Sequence, residues 1–173
     1  MTKAIRIHET GGPEVLRWED VEVGDPGDGE IRVRHTAIGL NYIDTYQRSG
    51  LYPLALPLTL GMEGAGVVEA TGANVSDLKQ GDRVAYASPP PGSYSEARII
   101  GADRVVKVPD GVDDNTAAAM MLQGMTAQYL IRQIHKVSAD DTILIHAAAG
   151  GVGLIVCQWA KALGATVIGT VGN

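Results

Sequence analysis

The chain has 173 residues, a formal net charge of −6, 45% hydrophobic residues and 20% charged residues. This apolar content is sufficient for a buried core and excludes a mainly disordered chain. The acidic balance, without any block of like charge, makes nucleic acids and anionic membrane surfaces unexpected partners. The single cysteine, Cys157, excludes an internal disulfide and a cysteine-based metal cluster, and we expect a cytoplasmic protein. The longest uncharged apolar run, Ala147–Cys157, is far below the roughly 18 residues of a membrane-spanning helix.

Short β-type segments separated by turn residues occupy the chain as far as about Val108. The predicted strands are Lys3–His8, Val15–Val21, Glu30–Gly39, Gly64–Ala70, Arg83–Ala87, Tyr94–Ile100 and Val105–Val108. One short helix is predicted around Asn41–Gln47. Many short strands at this spacing are typical of a sandwich or a small barrel, so this part of the chain is predicted to be mainly β.

After Gly111 the composition changes to helix-forming residues, which predicts one or two helices within Asp114–His135. The sequence then predicts a strand, a helix and a second strand, at Thr142–His146, Gly150–Leu163 and Thr166–Val171. Both strands are apolar almost throughout, which predicts parallel strands covered on both faces. This is one β-α-β unit, whereas a doubly wound nucleotide-binding domain has two βαβαβ halves, so we expect the chain to be part of a longer protein.

A glycine-rich turn, Ala147–Gly153, connects the first of these strands to the helix. This strand, turn and helix order is the context that a dinucleotide-binding turn requires. The N–H groups of Gly151 and Val152 would face a pyrophosphate, and a side chain at Gly150 would keep the backbone away from it. The alternative is a tight turn that needs small residues only for packing. Ala148 stands where the usual motif has its first glycine, so it must keep a negative φ.

The end of the second strand bears on the choice between NADH and NADPH. A carboxylate about 20 residues after the turn usually holds the ribose 2′-hydroxyl of NAD. No carboxylate occurs between Thr166 and Asn173. The sequence therefore favours NADPH, although the basic residue that would confirm this choice would lie beyond Asn173.

Several segments carry a family resemblance that covers the whole chain. They are Gly11–Leu16, Gly39–Tyr46, Arg48–Pro53, Gly81–Val84 and His146–Leu163. On these residues the chain resembles the zinc-independent medium-chain dehydrogenases/reductases of the zeta-crystallin type, the quinone oxidoreductases. The resemblance implies a mainly β GroES-like barrel over residues 1–124. It also implies an incomplete α/β Rossmann domain, its first β-α-β unit, over residues 125–173.

The zinc-dependent branch of the same family provides a chemical contrast. Its alcohol dehydrogenases place a zinc-binding cysteine where this chain has Asn41, and a histidine where it has Met62. An amide and a thioether are poor substitutes for thiolate and imidazole at Zn²⁺, so we expect no metal site. Without a Lewis acid, hydride transfer to an electron-poor acceptor is easier than alcohol oxidation.

The resemblance also assigns roles to individual residues. It places Asn41 and Tyr46 beside the nicotinamide and its ribose, Thr126 at the nicotinamide amide, and Tyr52 in the acceptor pocket. Gly150, Gly151 and Val152 would bind the pyrophosphate. Other interpretations stay open: Asn41 and Asp44 also form a plausible helix cap, the two tyrosines are compatible with half-buried surface positions, and Thr126 with a helix start.

Three functions follow as hypotheses. The first is an NADPH-dependent quinone oxidoreductase that acts on a small quinone or enone, and the second is an enoyl or alkenal double-bond reductase of the same family. The third is a non-catalytic fragment that serves as a folded binding or assembly module. The resemblance makes a homodimer of the full-length protein possible. The four histidines are interpreted as structural, and Glu63 as a buried, paired carboxylate or, less favourably, a proton donor.

Overall fold

The computed structural model describes residues 1–172, and these form two compact units. The first unit is Met1–Met121, and the second begins at Leu122, within a helix that the two units share. None of the helices in residues 1–172 is both long enough and apolar enough to cross a membrane.

Eight strands and one helix precede the shared helix. They are β1 (Thr2–Ile7), β2 (Arg17–Val21), β3 (Glu30–Gly39), α1 (Tyr42–Ser49), β4 (Leu58–Thr59), β5 (Glu63–Thr71), β6 (Arg83–Ala87), β7 (Ala97–Gly101) and β8 (Val106–Lys107). The strands form a three-stranded sheet in the order β2-β1-β4 and a five-stranded sheet in the order β7-β3-β5-β6-β8. The strand pairs in both sheets are antiparallel. This unit is therefore mainly β, as the sequence predicted.

The core of the first unit lies against the five-stranded sheet. It contains the buried side chains Ile31, Val33, Val68, Val84, Tyr86 and Ile100. Alternate residues of β3 supply two of them, because successive side chains of a strand point to opposite faces. Burying each such aliphatic side chain stabilises the fold by about 1.5–3 kcal/mol.

Two strands begin two or three residues later than predicted, and most of the other predicted strands differ by one or two residues at an end. β2 begins at Arg17 because Pro13–Val15 form a 3-10 turn, with the proline in its first positions. β7 begins at Ala97 because the residues before it contact β1 at a single bridge, between Ala4 and Ser95, and not as part of a ladder. β4 was not predicted, since two residues are too few to show an alternating pattern.

The shared helix is α2 (Asp114–Gln128), which continues as a π-helical segment (Tyr129–Ile134). β9 (Thr142–Ile145), α3 (Gly151–Ala162) and β10 (Thr166–Gly169) complete the second unit. β9 and β10 pair in parallel. Gly164 follows α3 with φ +91°, as expected for a glycine that ends a helix.

Within residues 1–172 only one face of β9 and β10 is covered. Ile143 and Val167 pack into the core beneath α3, whereas Leu144 and Ile168 are more than half exposed. This core, to which α3, the end of α2 and its π-helical continuation contribute, covers one face of the two strands, so alternate side chains face solvent.

A buried polar network lies on β3, β6 and β7 of the first unit. His35 Nδ1 is 2.7 Å from the carbonyl oxygen of Ser95, and His35 Nε2 is 2.6 Å from the Tyr86 hydroxyl. Since a carbonyl only accepts, Nδ1 carries the hydrogen and Nε2 accepts from Tyr86. The Arg98 guanidinium lies 5.2 Å from the centre of the Tyr86 ring. The pKa of His35 is lowered to about 4, mainly because the ring is buried; the bond to Ser95 opposes this change and the Arg98 charge adds to it. His35 is therefore a neutral structural residue, as the sequence suggested.

Candidate functional site

The turn from Ala147 to Gly153 joins β9 to α3, and Gly150 is the N-cap of the helix. The Gly150 N–H donates to the Ala147 carbonyl oxygen at 2.8 Å. Among residues 1–172, no hydrogen bond uses the N–H groups of Gly151 or Val152. These groups lie in the first turn of α3, where the helix dipole favours negative charge. The predicted binding surface for a diphosphate is thus left open by the protein's own hydrogen bonds.

The glycines of this turn have different reasons to lack a side chain. A Cβ at Gly153 would collide with the carbonyl oxygen of Ala147 and the backbone of Ala148, so this glycine is required by packing. Gly150 has φ −79° and ψ 170°, which any residue adopts, and its nearest obstacle is 3.1 Å away. The three atoms nearest to a Cβ at Gly151 all belong to the side-chain amide of Gln123. Packing alone therefore explains Gly153 but not Gly150.

The alanines in the turn behave partly as expected. Ala148 keeps a negative φ, as predicted, and its N–H donates to the Thr170 carbonyl oxygen at 2.9 Å. Ala147 instead has φ +53°, in the left-handed region that a residue with a Cβ seldom adopts. No sequence signal indicated this position, because alanine carries no preference for that region.

Thr126 lies in the last turn of α2. Its hydroxyl donates to the Leu122 carbonyl oxygen at 2.7 Å. Gln123, three residues earlier, therefore shares the Thr126 side of the helix and lies against Gly151. Gln123 is a residue of the candidate site that the sequence analysis missed.

Asn41 is the N-cap residue of α1, and its side chain is buried. It forms a capping box with Asp44, whose carboxylate accepts the Asn41 N–H at 2.9 Å. Its side-chain Nδ2 also donates to the fully buried carboxylate of Glu63 at 2.7 Å. The capping role left open by the sequence is therefore confirmed, and Glu63 is a buried, paired carboxylate. The pair holds the Asn41 carboxamide in one orientation.

A second carboxylate lies on the other side of Asn41. The Tyr94 hydroxyl donates to Asp44 at 2.8 Å. Burial raises the pKa of the Asp44 carboxyl, although its bonds to Asn41 and Tyr94 oppose the change. Burial and the adjacent Asp44 raise the pKa of Tyr94 as well. The sequence predicted Asp44 only as a cap residue. Its contact with Tyr94 could not be predicted, because the two residues are 50 positions apart.

Tyr46 and Tyr52 lie together near α1. Their ring centres are 5.3 Å apart, and Tyr42 contacts the other side of Tyr46 at 5.1 Å, both in edge-to-face geometry. The Tyr52 N–H donates to the Tyr46 carbonyl oxygen at 3.2 Å. Tyr42 and Tyr52 are each at least half exposed, so these three rings present aromatic surface to solvent.

An apolar groove of about 430 Å³ lies on the same unit. Trp18, Ile38, Leu40 and Tyr94 contribute to its lining, and the first three are exposed. Such a lining suits an apolar group better than a charged one. The sequence analysis did not single out these residues, because isolated exposed apolar side chains are common.

The positions that bind zinc in the related branch carry no clustered ligands. Among residues 1–172, no group of three or more histidine, cysteine, aspartate or glutamate side chains is placed to hold a metal ion. The predicted site residues thus fall into two sets. Asn41, Tyr46 and Tyr52 lie in or next to α1 in the first unit, while Thr126, Gly150, Gly151 and Val152 belong to the second.

The fold is that of a dehydrogenase/reductase, and residues 27–139 match the alcohol dehydrogenase GroES-like domain family. The chain belongs to this family. The predicted architecture, a GroES-like barrel followed by an incomplete Rossmann domain, is confirmed.

Particular relatives are similar over the whole chain. A quinone oxidoreductase of Pseudomonas aeruginosa is 56% identical, and a 2-haloacrylate reductase of a Burkholderia species is 51% identical; both are matched over 100% of this chain and 54% of their own length. The solved structure of Escherichia coli quinone oxidoreductase complexed with NADPH is 50% identical with a TM-score of 0.96, over 99% of this chain and 53% of that one. The chain spans about half the length of the curated relatives it matches.

Proposed function

We propose that this chain belongs to an NADPH-dependent quinone oxidoreductase that transfers a hydride without a metal ion. The observation that carries the proposal is the open first turn of α3. The N–H groups of Gly151 and Val152 make no hydrogen bond within residues 1–172, and they adjoin Gly150, whose missing side chain packing does not require. Open amides at a helix N-terminus with close backbone access fit a dinucleotide diphosphate.

NADPH, when bound, supplies the hydride, and the protein supplies binding and orientation. Gly150, Gly151 and Val152 would hold the diphosphate, and Thr126 the nicotinamide amide. The absence of a carboxylate between Thr166 and Asn173 supports NADPH over NADH. The structure describes this segment as far as Gly172, and Asn173 lies outside the described residues.

In the first unit, residues in and next to α1 would carry the roles toward the nicotinamide and the acceptor. Asn41, fixed by Glu63, and Tyr46 would lie beside the nicotinamide and its ribose. The exposed ring of Tyr52 would line a pocket for a flat, electron-poor acceptor. Since Asn41 and Met62 occupy the family's zinc-ligand positions, a quinone is favoured over an alcohol.

The test is carried out on the full-length protein. We expect oxidation of NADPH by 1,4-benzoquinone, slower turnover with NADH, and none with NADP⁺ and primary alcohols. Gly150→Val should weaken NADPH binding by about tenfold or more, because its side chain keeps the diphosphate from the amides. Gln158→Val places the same side chain on an exposed turn of α3 and should bind normally. Absence of quinone turnover would reject the proposal.

A double-bond reductase is the second candidate, and the similarity to the 2-haloacrylate reductase favours it. Such an enzyme would deliver the hydride to the β-carbon of an activated alkene. Comparing kcat/KM for 2-alkenals, enoyl thioesters and 2-haloacrylate with that for benzoquinone separates the two. A higher value for any alkene would replace quinone reduction as the main activity. Failure of the full-length protein to bind NADPH would instead favour the non-catalytic module.

A further inference from the structure

His146 and Thr170 directly follow the parallel strands β9 and β10. His146 Nδ1 is 3.0 Å from the Thr170 hydroxyl oxygen. The backbone of Thr170 makes two further bonds: its N–H donates to the Ile145 carbonyl oxygen and its own carbonyl oxygen accepts the Ala148 N–H, both at 2.9 Å. One residue at the end of β10 thus contacts three residues across the start of the glycine-rich turn.

The part of the turn that these bonds surround has an unfavourable conformation. Ala147 lies between His146 and Ala148 and has φ +53°. A residue with a Cβ keeps such a conformation only where its surroundings impose it. The Ala147 carbonyl oxygen then accepts the Gly150 N–H at 2.8 Å and so sets the direction in which the chain enters α3. The path of Ala147 therefore decides where the open amides of α3 point.

We propose that Thr170 and His146 act as a polar clamp that positions the glycine-rich turn for a diphosphate. This proposal rests on the dinucleotide-binding function proposed above and adds two positioning residues to it. The carbonyl oxygen of Thr170 holds the Ala148 N–H, its own N–H is held by Ile145, and its hydroxyl contacts the side chain of His146, which precedes Ala147. Without the clamp the turn samples other conformations, and a ligand must first restore the binding one.

If the bond between Thr170 and His146 served only stability, its loss would lower the unfolding temperature; the clamp predicts a different outcome. Both side chains of the clamp are exposed, so their hydrogen bond contributes little to global stability. Valine in place of Thr170 keeps the shape and the β-branched character that a strand end favours. Loss of the hydroxyl should therefore change ligand binding and the dynamics of the turn, and leave the unfolding temperature nearly constant.

The experiment compares Thr170→Val, Thr170→Ser and His146→Phe with the unchanged full-length protein. Calorimetric titration with NADPH and with ADP, which both carry the diphosphate, should show about threefold to tenfold weaker binding in Thr170→Val and His146→Phe. Binding of adenosine 2′-monophosphate, which lacks the diphosphate, should not change. Thr170→Ser retains the hydroxyl and should restore the affinity. The double variant should lose no more than either single one, because both remove the same bond.

A second measurement examines the clamp without ligand. Amide hydrogen exchange at Ala148 should be faster in Thr170→Val than in the unchanged protein, since its bond to Thr170 opens more often. Unchanged exchange, unchanged ADP binding, or equal weakening for adenosine 2′-monophosphate would overturn the clamp. If the unchanged protein binds neither NADPH nor ADP, the proposed function fails, and the exchange rate alone decides whether the clamp exists.

Discussion

Neutral His35 should make the first unit sensitive to mild acid. In the folded chain its pKa is about 4, against 6.5 for the ordinary side chain, because the ring is buried. Its Nδ1–H donates to Ser95, and its Nε2 accepts from Tyr86. A proton on Nε2 would oppose the Tyr86 hydroxyl and lie near the Arg98 charge. We therefore expect acid to unfold this unit by protonating His35.

The direction and size follow from proton linkage. The unfolded chain binds the proton more tightly than the folded chain, so stability is full above about pH 6.5 and falls as the pH drops towards 4. Between pH 7.5 and pH 5 these two pKa values correspond to a loss of about 2 kcal/mol. Asp44 acts in the opposite direction, because its raised pKa adds stability in acid that is lost as the pH rises through the folded value. A His35 variant retains Asp44, so subtracting the pH dependence of that variant removes the contribution of Asp44.

Hydrogen exchange measured by mass spectrometry in peptides from β3 and β5 reports the opening free energy of this unit. The unchanged protein should lose about 2 kcal/mol between pH 7.5 and pH 5 after correction for intrinsic exchange. His35→Gln is less stable at pH 7.5, but it cannot titrate and should lack this loss. His8→Gln, at an exposed histidine, serves as the matched control and should behave as the unchanged protein. An equal pH dependence in His35→Gln would refute the reasoning.

Substitutions at three further positions test contacts within the two units. Glu63→Leu removes the carboxylate that accepts the hydrogen bond of the buried Asn41 amide, and it should destabilise the protein by about 1–3 kcal/mol in urea unfolding. Glu63→Gln should lose less stability. Equal losses in the two variants would contradict the bond. Gly153→Ala forces a Cβ against backbone and should lower the free energy of unfolding by at least about 1–3 kcal/mol; an unchanged Tm would disprove the close approach. Asp114→Asn breaks a partly exposed ion pair with Arg83 and should cost about 1 kcal/mol or less, and 1 M NaCl should shrink the difference.

Local patterns in the sequence were sufficient for much of the fold. The strands Glu30–Gly39 and Arg83–Ala87 were predicted with their observed bounds, because apolar residues end at clear turn signals. The β-α-β unit was found from its apolar strands and its glycine-rich turn. Elements that depend on a distant partner were placed less well, as at Tyr94, which contacts β1 outside a continuous ladder.

The candidate site shows the same limit. Its residue types were visible in the sequence, but the contacts that orient them were not. Glu63 meets Asn41 across 22 residues, and Thr170 meets His146 across 24. Such contacts are set by strand pairing and not by periodicity. The left-handed Ala147 was equally hidden, because its conformation comes from neighbouring bonds and not from its own preference.

Gly150 and Gly153 are crowded to different extents, so substitutions at the two positions should have different effects in a mutational scan. A screen that scores cellular abundance should penalise side chains at position 153, where the chain itself occupies the space, and largely tolerate alanine or serine at position 150. A screen that scores growth on the reaction should reject both. The difference between the two scores would thus separate glycines that the packing of the chain requires from glycines that the bound ligand requires.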